Sequence, residues 1–365
     1  MWITSSLATV LTPTAVALGN FDGLHRGHRQ VMEPIFNFKD RANLLYVYPS
    51  ESSTNKEADK VTKLELWHQD LKLSSSHCEN ELGKHNHYQK QKIYSTIVTF
   101  NPHPQEFFSG KQKKLLTPQE EKLALFKSMG VEQVVLLPFD RELANLTPNE
   151  FVEEILVRRL QAHQISIGYD FCFGRRRSGK AKDLQAIAAN SNIDVTIVPL
   201  YICENGERIS SSIIRQALEQ GDLEKSNRLL GRCYSVIGQV VHGQQLGRTL
   251  GFPTANLQLP PQKFLPRFGV YAVKVYVSPQ KQPQERFSAD RPYLGVMNVG
   301  CRPTLNGLYP IVEIHLLDWS QDLYGQTLTV NLIEFLRPEQ KFASLDLLKA
   351  QIHEDCRIAR SILKN

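Results

Sequence analysis

The first two hundred residues alternate between short apolar runs and amphipathic stretches of helical period. A short apolar run bounded by glycine, proline or asparagine is typical of a buried strand, and apolar positions three or four apart are typical of a helix. The alternation predicts a parallel sheet with helices on its faces. The predicted strands are residues 15–18, 94–100, 131–137, 164–168 and 195–199, and the predicted helices begin at Gly27 and cover residues 118–129, 148–160 and 182–190.

After Leu230 the pattern changes to short β-rich runs that are separated by Gly, Pro and Asn turns. This spacing predicts an antiparallel barrel. A final helix is predicted for residues 345–364, with Ser344 as its N-cap. We place the boundary near Gly231, which gives two domains, residues 1–230 and residues 231–365. The predicted barrel strands are residues 234–241, 270–277, 293–299, 311–317 and 327–336.

A polar segment, from about residue 39 to residue 92, fits neither pattern. It is rich in Ser, Lys, Asn, Glu and His, and it separates the first predicted helix from the second predicted strand. That separation is far longer than an ordinary connection between a helix and a strand. We therefore predict that this segment is an insertion in the first domain.

Composition narrows the class of protein. The chain has 365 residues, which is longer than the chains that usually fold around a single hydrophobic core. Hydrophobic residues make up 41% of it. No run approaches the roughly 20 apolar residues of a membrane-spanning helix, so we expect a cytoplasmic protein without membrane contact. The six cysteines form no CxxC pair, which argues against a disulfide scaffold or a zinc ribbon. The net charge of +6 suits an enzyme that handles phosphate esters, and equally a nucleic-acid-binding protein.

The segment at 19–28 lies where a predicted parallel strand is followed by a helix, the place where open α/β sheets bind ligands. His25 and His28 share one side of the first helical turn, and Gly27 leaves room for a phosphate at the helix N-terminus. Such histidines can stabilise an α-phosphate in the transition state by donating hydrogen bonds or by carrying positive charge. Isolated His-x-x-His pairs are more often surface residues or metal ligands, so the interpretation depends on the surrounding motifs.

Four segments of the first part occur in an order that resembles prokaryotic bifunctional riboflavin kinase/FAD synthetases. The resemblance covers nearly the whole chain except the polar segment. For the first part it implies an α/β Rossmann-like nucleotidyl transferase domain that adenylylates FMN with ATP. The four segments are GNFDGLHRGH at 19–28, VTFNPHP at 98–104, GYDFCFG at 168–174 and ISSSIIR at 209–215.

The resemblance implies that His25 and His28 engage the ATP phosphates, and that Ser211, Ser212 and Arg215 form a second phosphate-binding motif. Independently, hydroxyls at a helix start can reach phosphate, and an arginine one turn later can bind two phosphate oxygens. An ordinary N-cap with a solvated arginine is the alternative. Phenylalanines in such segments pack in cores more often than they bind ligands. The remaining implied residues are Gly19, Asn20, Phe21, Asp22, Gly23 and Gly27 for the nucleotide, and Asn101, His103, Asp170, Phe171 and Phe173 for the flavin and adenine pockets.

The segment VHGQQLGRTLGFPTAN at 241–256 is rich in glycine but contains no Walker motif. Its glycines allow backbone amides to approach a phosphate chain. Thr254 and Asn256 offer two hard oxygen ligands that point the same way on an extended segment, which suits Mg²⁺ carried on ATP. The glycines in question are Gly243, Gly247 and Gly251.

Glu313 is an ionisable residue inside an otherwise apolar strand run. Phosphoryl transfer needs a group that orients or deprotonates the attacking hydroxyl. For an isolated glutamate, a solvent-facing carboxylate is the simpler interpretation. The resemblance to the riboflavin kinase module assigns Glu313 as the catalytic base and the residues Pro253, Thr254 and Asn256 to ATP and magnesium. The matches to that module also include Asn298 and Arg302, which we assign to the riboflavin pocket.

These motifs predict that ATP phosphorylates riboflavin to FMN, and that a second ATP adenylylates FMN to FAD with release of pyrophosphate. The substrates are riboflavin, FMN and ATP, with Mg²⁺ as the cofactor, and no nucleic-acid partner is expected. One alternative is a riboflavin kinase whose adenylyltransferase half is impaired by the insertion. The other is a basic nucleic-acid-binding protein, suggested only by the pI of 8.9 and the arginine run at 175–177. The sequence does not determine the oligomeric state.

Overall fold

The computed structural model describes residues 1–45, 92–203, 206–243, 246–278, 291–304 and 307–364. The first helix continues to Leu45, so the first residues of the predicted insertion are helical. Residues 46–91, which make up nearly all of that predicted insertion, lie outside the described residues.

The first half is built on a sheet of six strands that are all parallel to their neighbours. Every residue of the second strand is buried, as expected for a strand that is covered by helices on both faces. The strands of this half are β1 Trp2–Thr4, β2 Thr14–Leu18, β3 Tyr94–Asn101, β4 Gln133–Pro138, β5 Ala162–Gly168, β6 Cys172–Phe173, β7 Gly179–Lys180 and β8 Asp194–Val198. The sheet order is β1-β4-β3-β2-β5-β8, and β6 pairs with β7 in a separate ribbon.

The helices of this half connect successive strands. The helix predicted at 148–160 is divided into two consecutive segments: a short α-helix, Pro148–Glu150, and a π-helix, Phe151–Arg159. Two short 3₁₀ turns cover Leu7–Thr9 and Arg175–Arg177. The α-helices are α1 Arg26–Leu45, α2 Pro104–Ser109, α3 Gln119–Ser128, α4 Arg141–Asn145, α5 Pro148–Glu150, α6 Ala181–Ala189, α7 Ser211–Gln220 and α8 Leu223–Leu230.

The second half is a closed antiparallel barrel. Its strands are β9 Ser235–Val241, β10 Ala255–Gln258, β11 Gly269–Val277, β12 Tyr293–Thr304, β13 Gly307–Leu316 and β14 Thr327–Pro338, and they close in the order β10-β13-β12-β11-β14-β9. A short helix, α9 Leu246–Thr249, precedes β10. The last helix, α10 Leu345–Leu363, begins at the N-cap Ser344 as predicted, and its apolar face packs on the outside of the barrel.

Buried contacts join the two halves. Apolar residues of α7 and α8 pack in one cluster with the barrel core. Lys263, which follows β10, forms a fully buried ion pair with Glu121 of α3 at 2.6 Å and donates to the Leu116 carbonyl at 2.9 Å. A buried charge needs such partners because burial removes its hydration. The boundary near Gly231 stays a prediction.

The predicted fold class is confirmed: a parallel sheet with helices precedes an antiparallel barrel with a C-terminal helix. The elements that the sequence patterns missed include β1 and β10, which are too short to show a clear period, and the helix α8. Among the described helices, none combines the length and the apolar content that crossing a membrane requires.

Candidate active sites

The turn between β2 and α1 carries the first motif. Its backbone takes left-handed conformations at Phe21, Gly23 and Leu24, with φ of 49°, 85° and 43°. Glycine adopts this conformation freely, whereas the other two residues require support from their surroundings. A Cβ on Gly23 would lie 2.8 Å from Leu116 Cδ1, so the position also has no space for a side chain.

Side chains from distant parts of the chain hold this turn from outside. The buried Lys122 of α3 donates to the Asn20 carbonyl at 2.8 Å. Ser211 donates to the Asp22 carbonyl at 2.8 Å, and the Gly23 N–H donates to Thr117 Oγ1 at 2.9 Å. Satisfying these backbone groups fixes the turn. Sequence reasoning missed Lys122 and Thr117, since neither lies in a motif.

His25 and His28 are stacked, with ring centroids 3.6 Å apart and an angle of 13° between the planes. His25 Nδ1 accepts the backbone N–H of His28 at 3.2 Å, so the neutral ring carries its proton on Nε2. Phe21 packs edge-on against the His28 ring at 5.4 Å. Within the described part of the chain, His28 Nδ1 is buried and has no hydrogen-bond partner.

Burial lowers the pKa of His25 to about 4, although Asp22 and Asp170 oppose the shift and Arg232 adds to it. Burial also lowers the pKa of His28 well below its usual value, and His25, Lys122 and Arg232 act in the same direction. Both rings are therefore neutral at neutral pH. A neutral imidazole with a proton on Nε2 can donate a hydrogen bond to a phosphate oxygen.

The predicted phosphate arginine, Arg215, forms an ion pair with the buried Asp22. It also donates to the backbone carbonyls of Ser211 at 3.3 Å and Lys114 at 3.2 Å. Ser211 and Ser212 lie at the start of α7, next to the N-cap Ser210. Arg215 thus lies behind Asp22 and does not line the cavity described next.

A cavity of about 800 Å³ opens at the carboxyl ends of the parallel strands. Of the predicted residues, Gly19, Asn20, Phe21, Asp22, His25, Gly27, His28, His103, Asp170, Phe171, Phe173, Ser211 and Ser212 line it. Gly23 and Asn101 do not. Four further cations line it that the sequence analysis did not assign to this site: Lys113, Arg208, and Arg176 and Arg177 of the arginine run. Their charge suits a triphosphate.

The predicted flavin and adenine residues differ in their surroundings. His103 caps α2, and burial together with Lys113 lowers its pKa to about 4. Asp170 is exposed and forms an ion pair with Arg208 at 2.6 Å. Phe173 is buried in the core, with its ring 5.9 Å from that of Phe171. Phe173 therefore packs in the core and also forms part of the cavity wall.

The second motif lies on the outer face of the barrel. The register pairs Glu313 of β13 with Asn256 of β10 on one side and with Asn298 of β12 on the other. The flanking residues Val312 and Ile314 are buried inside the barrel, so Glu313 alternates to the outside and is half-buried there. Asn256, Glu313 and Asn298 thus lie side by side on three neighbouring strands, at the same height along the barrel.

The glycine-rich segment lies against the same residues. A Cβ on Gly243 would be 2.1 Å from Asn256 Nδ2, and one on Gly247 would be 2.3 Å from the Phe252 carbonyl oxygen. His315 Nδ1 donates to the Pro253 carbonyl at 2.9 Å. The backbone therefore closes around Asn256 because Gly243 lacks a side chain.

Thr254 and Asn256 are both half-buried, and the residue between them, Ala255, is buried toward the barrel. Both side chains accordingly share the outer face, and their oxygens are of the hard type that Mg²⁺ prefers. The residues present therefore fit a magnesium ion. Gly251 is exposed next to this segment, and Arg302 has a side chain outside the described part. Among the described residues, no group of three or more His, Cys, Asp or Glu could hold a metal by itself.

Family models match both halves. A FAD synthetase model matches residues 8–73 and 82–213, and a riboflavin kinase model matches residues 230–363. The first match includes much of the segment that we predicted as an insertion, whose limits stay a prediction.

Similar proteins match over nearly the whole chain. The chain is 36% identical over 346 residues to the bifunctional riboflavin kinase/FMN adenylyltransferase of Escherichia coli (strain K12), covering 94% of this chain and 91% of that protein. It is 33% identical over 357 residues to the protein of the same description from Haemophilus influenzae, covering 98% and 96%. A crystal structure described as a macrolide-efflux protein from Streptococcus pneumoniae superposes with a TM-score of 0.73 at 29% identity, covering 98% of each chain. Because the two family models match in the order of the two sites, the chain belongs to the bifunctional riboflavin kinase/FMN adenylyltransferase family.

Proposed function

We propose that this protein phosphorylates riboflavin to FMN on the barrel and adenylylates FMN to FAD in the cavity of the parallel sheet. The observation that carries the proposal is the presence of two separate sites, each within the residues matched by the corresponding family model. Riboflavin, FMN and ATP are the substrates. The alternative of a kinase with an impaired first half is not favoured, because both family models are matched.

In the proposed adenylyl transfer, the FMN phosphate attacks the α-phosphorus of ATP and pyrophosphate leaves. His25 and His28 donate hydrogen bonds to the phosphate oxygens as negative charge grows on them. The α7 N-terminus, with Ser211 and Ser212, faces the same cavity and favours anions. Arg215 contributes by holding Asp22 in the turn, and it reaches a phosphate only if that ion pair opens.

In the proposed phosphoryl transfer, Glu313 orients the riboflavin 5′-hydroxyl and accepts its proton as the oxygen attacks the γ-phosphorus. Thr254 and Asn256 would hold Mg²⁺, which neutralises charge on the ATP phosphates when it is bound. Gly243 and Gly247 keep the neighbouring backbone close enough to contact those phosphates. Asn298 lies across the strand pair from Glu313, where it can contact the flavin.

The experiment that tests both steps follows FMN and FAD over time after riboflavin, ATP and Mg²⁺ are added to the full-length protein. FMN should form first and FAD second. A parallel reaction with FMN and ATP should release pyrophosphate. FMN accumulation without FAD and without pyrophosphate would support the kinase-only alternative, and turnover of neither substrate with salt-sensitive RNA binding would support the nucleic-acid alternative.

Several expectations stay proposals. These are the domain limits at residues 1–230 and 231–365, a cytoplasmic location, the use of Mg²⁺ and the lack of a nucleic-acid partner.

A further inference from the structure

The backbone immediately before His25 is in a costly conformation. Leu24 and Phe21 are non-glycine residues in the left-handed region, which L-residues seldom adopt because of steric contact between Cβ and the backbone. They persist where the surrounding structure supplies compensating bonds. Because Leu24 directly precedes His25, its conformation decides where the imidazole of His25 lies.

Arg232 supplies such bonds from the other half of the chain. Its guanidinium donates to the Gly23 carbonyl at 2.8 Å and to the Leu24 carbonyl at 3.2 Å. Arg232 follows α8 and belongs to the residues that the riboflavin kinase model matches. It does not line the cavity. One side chain of the second half therefore bonds two consecutive carbonyls of the first motif.

The neighbours of Arg232 pack on the same side of the turn. A Cβ on Gly23 would lie 3.7 Å from Leu230 Cδ2, and a Cβ on Gly231 would lie 3.0 Å from Cγ of Arg26, the first residue of α1. Three consecutive residues, Leu230 to Arg232, thus lie against the turn and the start of α1. This packing gives the Arg232 side chain a defined direction of approach.

We propose that Arg232 is a positioning residue for adenylyl transfer, which fixes His25 by holding the carbonyls of Gly23 and Leu24. The inference rests on the proposed FMN adenylyltransferase function. It means that the kinase half supplies part of the structure of the adenylyltransferase site, although Arg232 does not line the cavity.

Electrostatics gives the proposal a second consequence. Burial lowers the pKa of Arg232 to about 10, and the positive charge of Arg29 acts in the same direction. The guanidinium is therefore still charged at neutral pH. The groups that act on His25 are Asp22, Asp170 and Arg232, and those that act on His28 are His25, Lys122 and Arg232. Removing the Arg232 charge should therefore raise the pKa of both imidazoles. A loosened turn that admits water would raise it as well, because burial is the largest cause of the lowered pKa, so Arg232→Lys, which keeps the positive charge, separates the two causes.

The test compares Arg232→Met, Arg232→Gln and Arg232→Lys in the full-length protein, with Arg228→Met as the matched control. Arg228 is exposed on α8, where it forms a surface ion pair with Glu224. For each protein, kcat and KM of FMN adenylylation are measured, with riboflavin phosphorylation by the same chain as the internal standard. The imidazole pKa values are measured by NMR. Wild-type FMN adenylylation is measured first, because its absence would refute the proposed function rather than this inference.

We expect Arg232→Met to lower kcat of adenylylation by about 10- to 100-fold, the cost of a misplacement near 1 Å, with a smaller change in KM. Riboflavin phosphorylation should stay within about twofold, Arg232→Lys should recover much of the loss, and the His25 pKa should rise in Arg232→Met. Unchanged adenylylation in Arg232→Met would overturn the proposal, as would parallel loss of both activities in Arg232→Lys. If Arg232→Met does not fold, Arg232→Lys must remain more active than Arg232→Gln, and equal activity would refute the proposal.

Discussion

The two candidate sites differ in how the fold holds their reacting groups. In the barrel, Asn256, Glu313 and Asn298 come from three neighbouring strands, and the strand register alone brings them to one level. In the parallel sheet, His25 and His28 follow an irregular turn that depends on side chains from α3, α7 and the barrel half. Strand register therefore brings together three polar residues of one site, while the turn that carries the other site depends on bonds from distant elements.

The difference has an energetic counterpart. The Glu313 side chain of the barrel site is half-buried on the outer face of the barrel. His25 is buried, and His28 is partly accessible but has a buried Nδ1 atom, so desolvation lowers the pKa of both imidazoles. If this comparison is right, the barrel site should be sensitive to its own few side chains, and the histidine site should be sensitive to distant residues as well.

The largest effect is expected for Glu313→Gln. The substitution keeps the shape of the side chain but removes the group that accepts the hydroxyl proton, which should lower riboflavin phosphorylation by about 10²- to 10⁴-fold. Adenylylation of added FMN should stay within about twofold, because Glu313 lies on the barrel and away from the cavity. Chromatographic assay of FMN and FAD checks both activities, and equal losses in the two would mean that the sites are not separate.

A slightly smaller effect is expected for His28→Ala. Removing one preorganised hydrogen-bond donor from a transition state costs about 10²- to 10³-fold in turnover. The loss should fall on pyrophosphate release from ATP and FMN and leave riboflavin phosphorylation unchanged. His163→Ala is a control, since His163 is exposed on β5 and does not line the cavity. Full adenylylation by His28→Ala would remove His28 from the proposed mechanism.

The sequence could predict the barrel site more fully than the histidine site, and the reason is physical. Side chains alternate between the two faces of β13, so Glu313 points to the face away from the buried Val312 and Ile314. This alternation is visible in the sequence. The supports of the turn leave no such trace. Lys122, Thr117 and Arg232 are common residue types whose role exists only through contacts across the fold.

The interpretation of Arg215 shows a second limit. Its place one turn after Ser211 and Ser212 favoured a direct phosphate contact, and the spacing on α7 is as predicted. The spacing alone cannot reveal that Asp22, almost two hundred residues earlier, is buried beside it and takes the guanidinium as its partner. A buried carboxylate requires a cation, and that requirement determines the unliganded position of Arg215.

Gly243→Ala should have a moderate effect on the barrel site. The added Cβ would lie 2.1 Å from Asn256 Nδ2, so the amide must move, and we expect kcat/KM for ATP in riboflavin phosphorylation to fall about tenfold. The control is the same substitution in an Asn256→Ala background, where the clash is absent. There Gly243→Ala should cost little more, because contacting residues are not additive. Equal costs in both backgrounds would show that the glycine acts through something other than Asn256.

The smallest effect concerns pH, and it decides whether the histidines act as neutral donors or as cations. With a pKa of about 4 for His25 and a lowered pKa for His28, both rings of the unliganded protein should stay neutral as the pH falls from 8 to 6. The ring signals, assigned with His25→Asn and His28→Asn, should therefore barely move in NMR spectra over this range. Because each lowered pKa makes the folded state the weaker proton acceptor, protonation should begin to reduce stability only below about pH 6.5, the usual histidine pKa. A titration of either ring with a midpoint near 6.5 would mean that burial does not control the protonation of the histidine site.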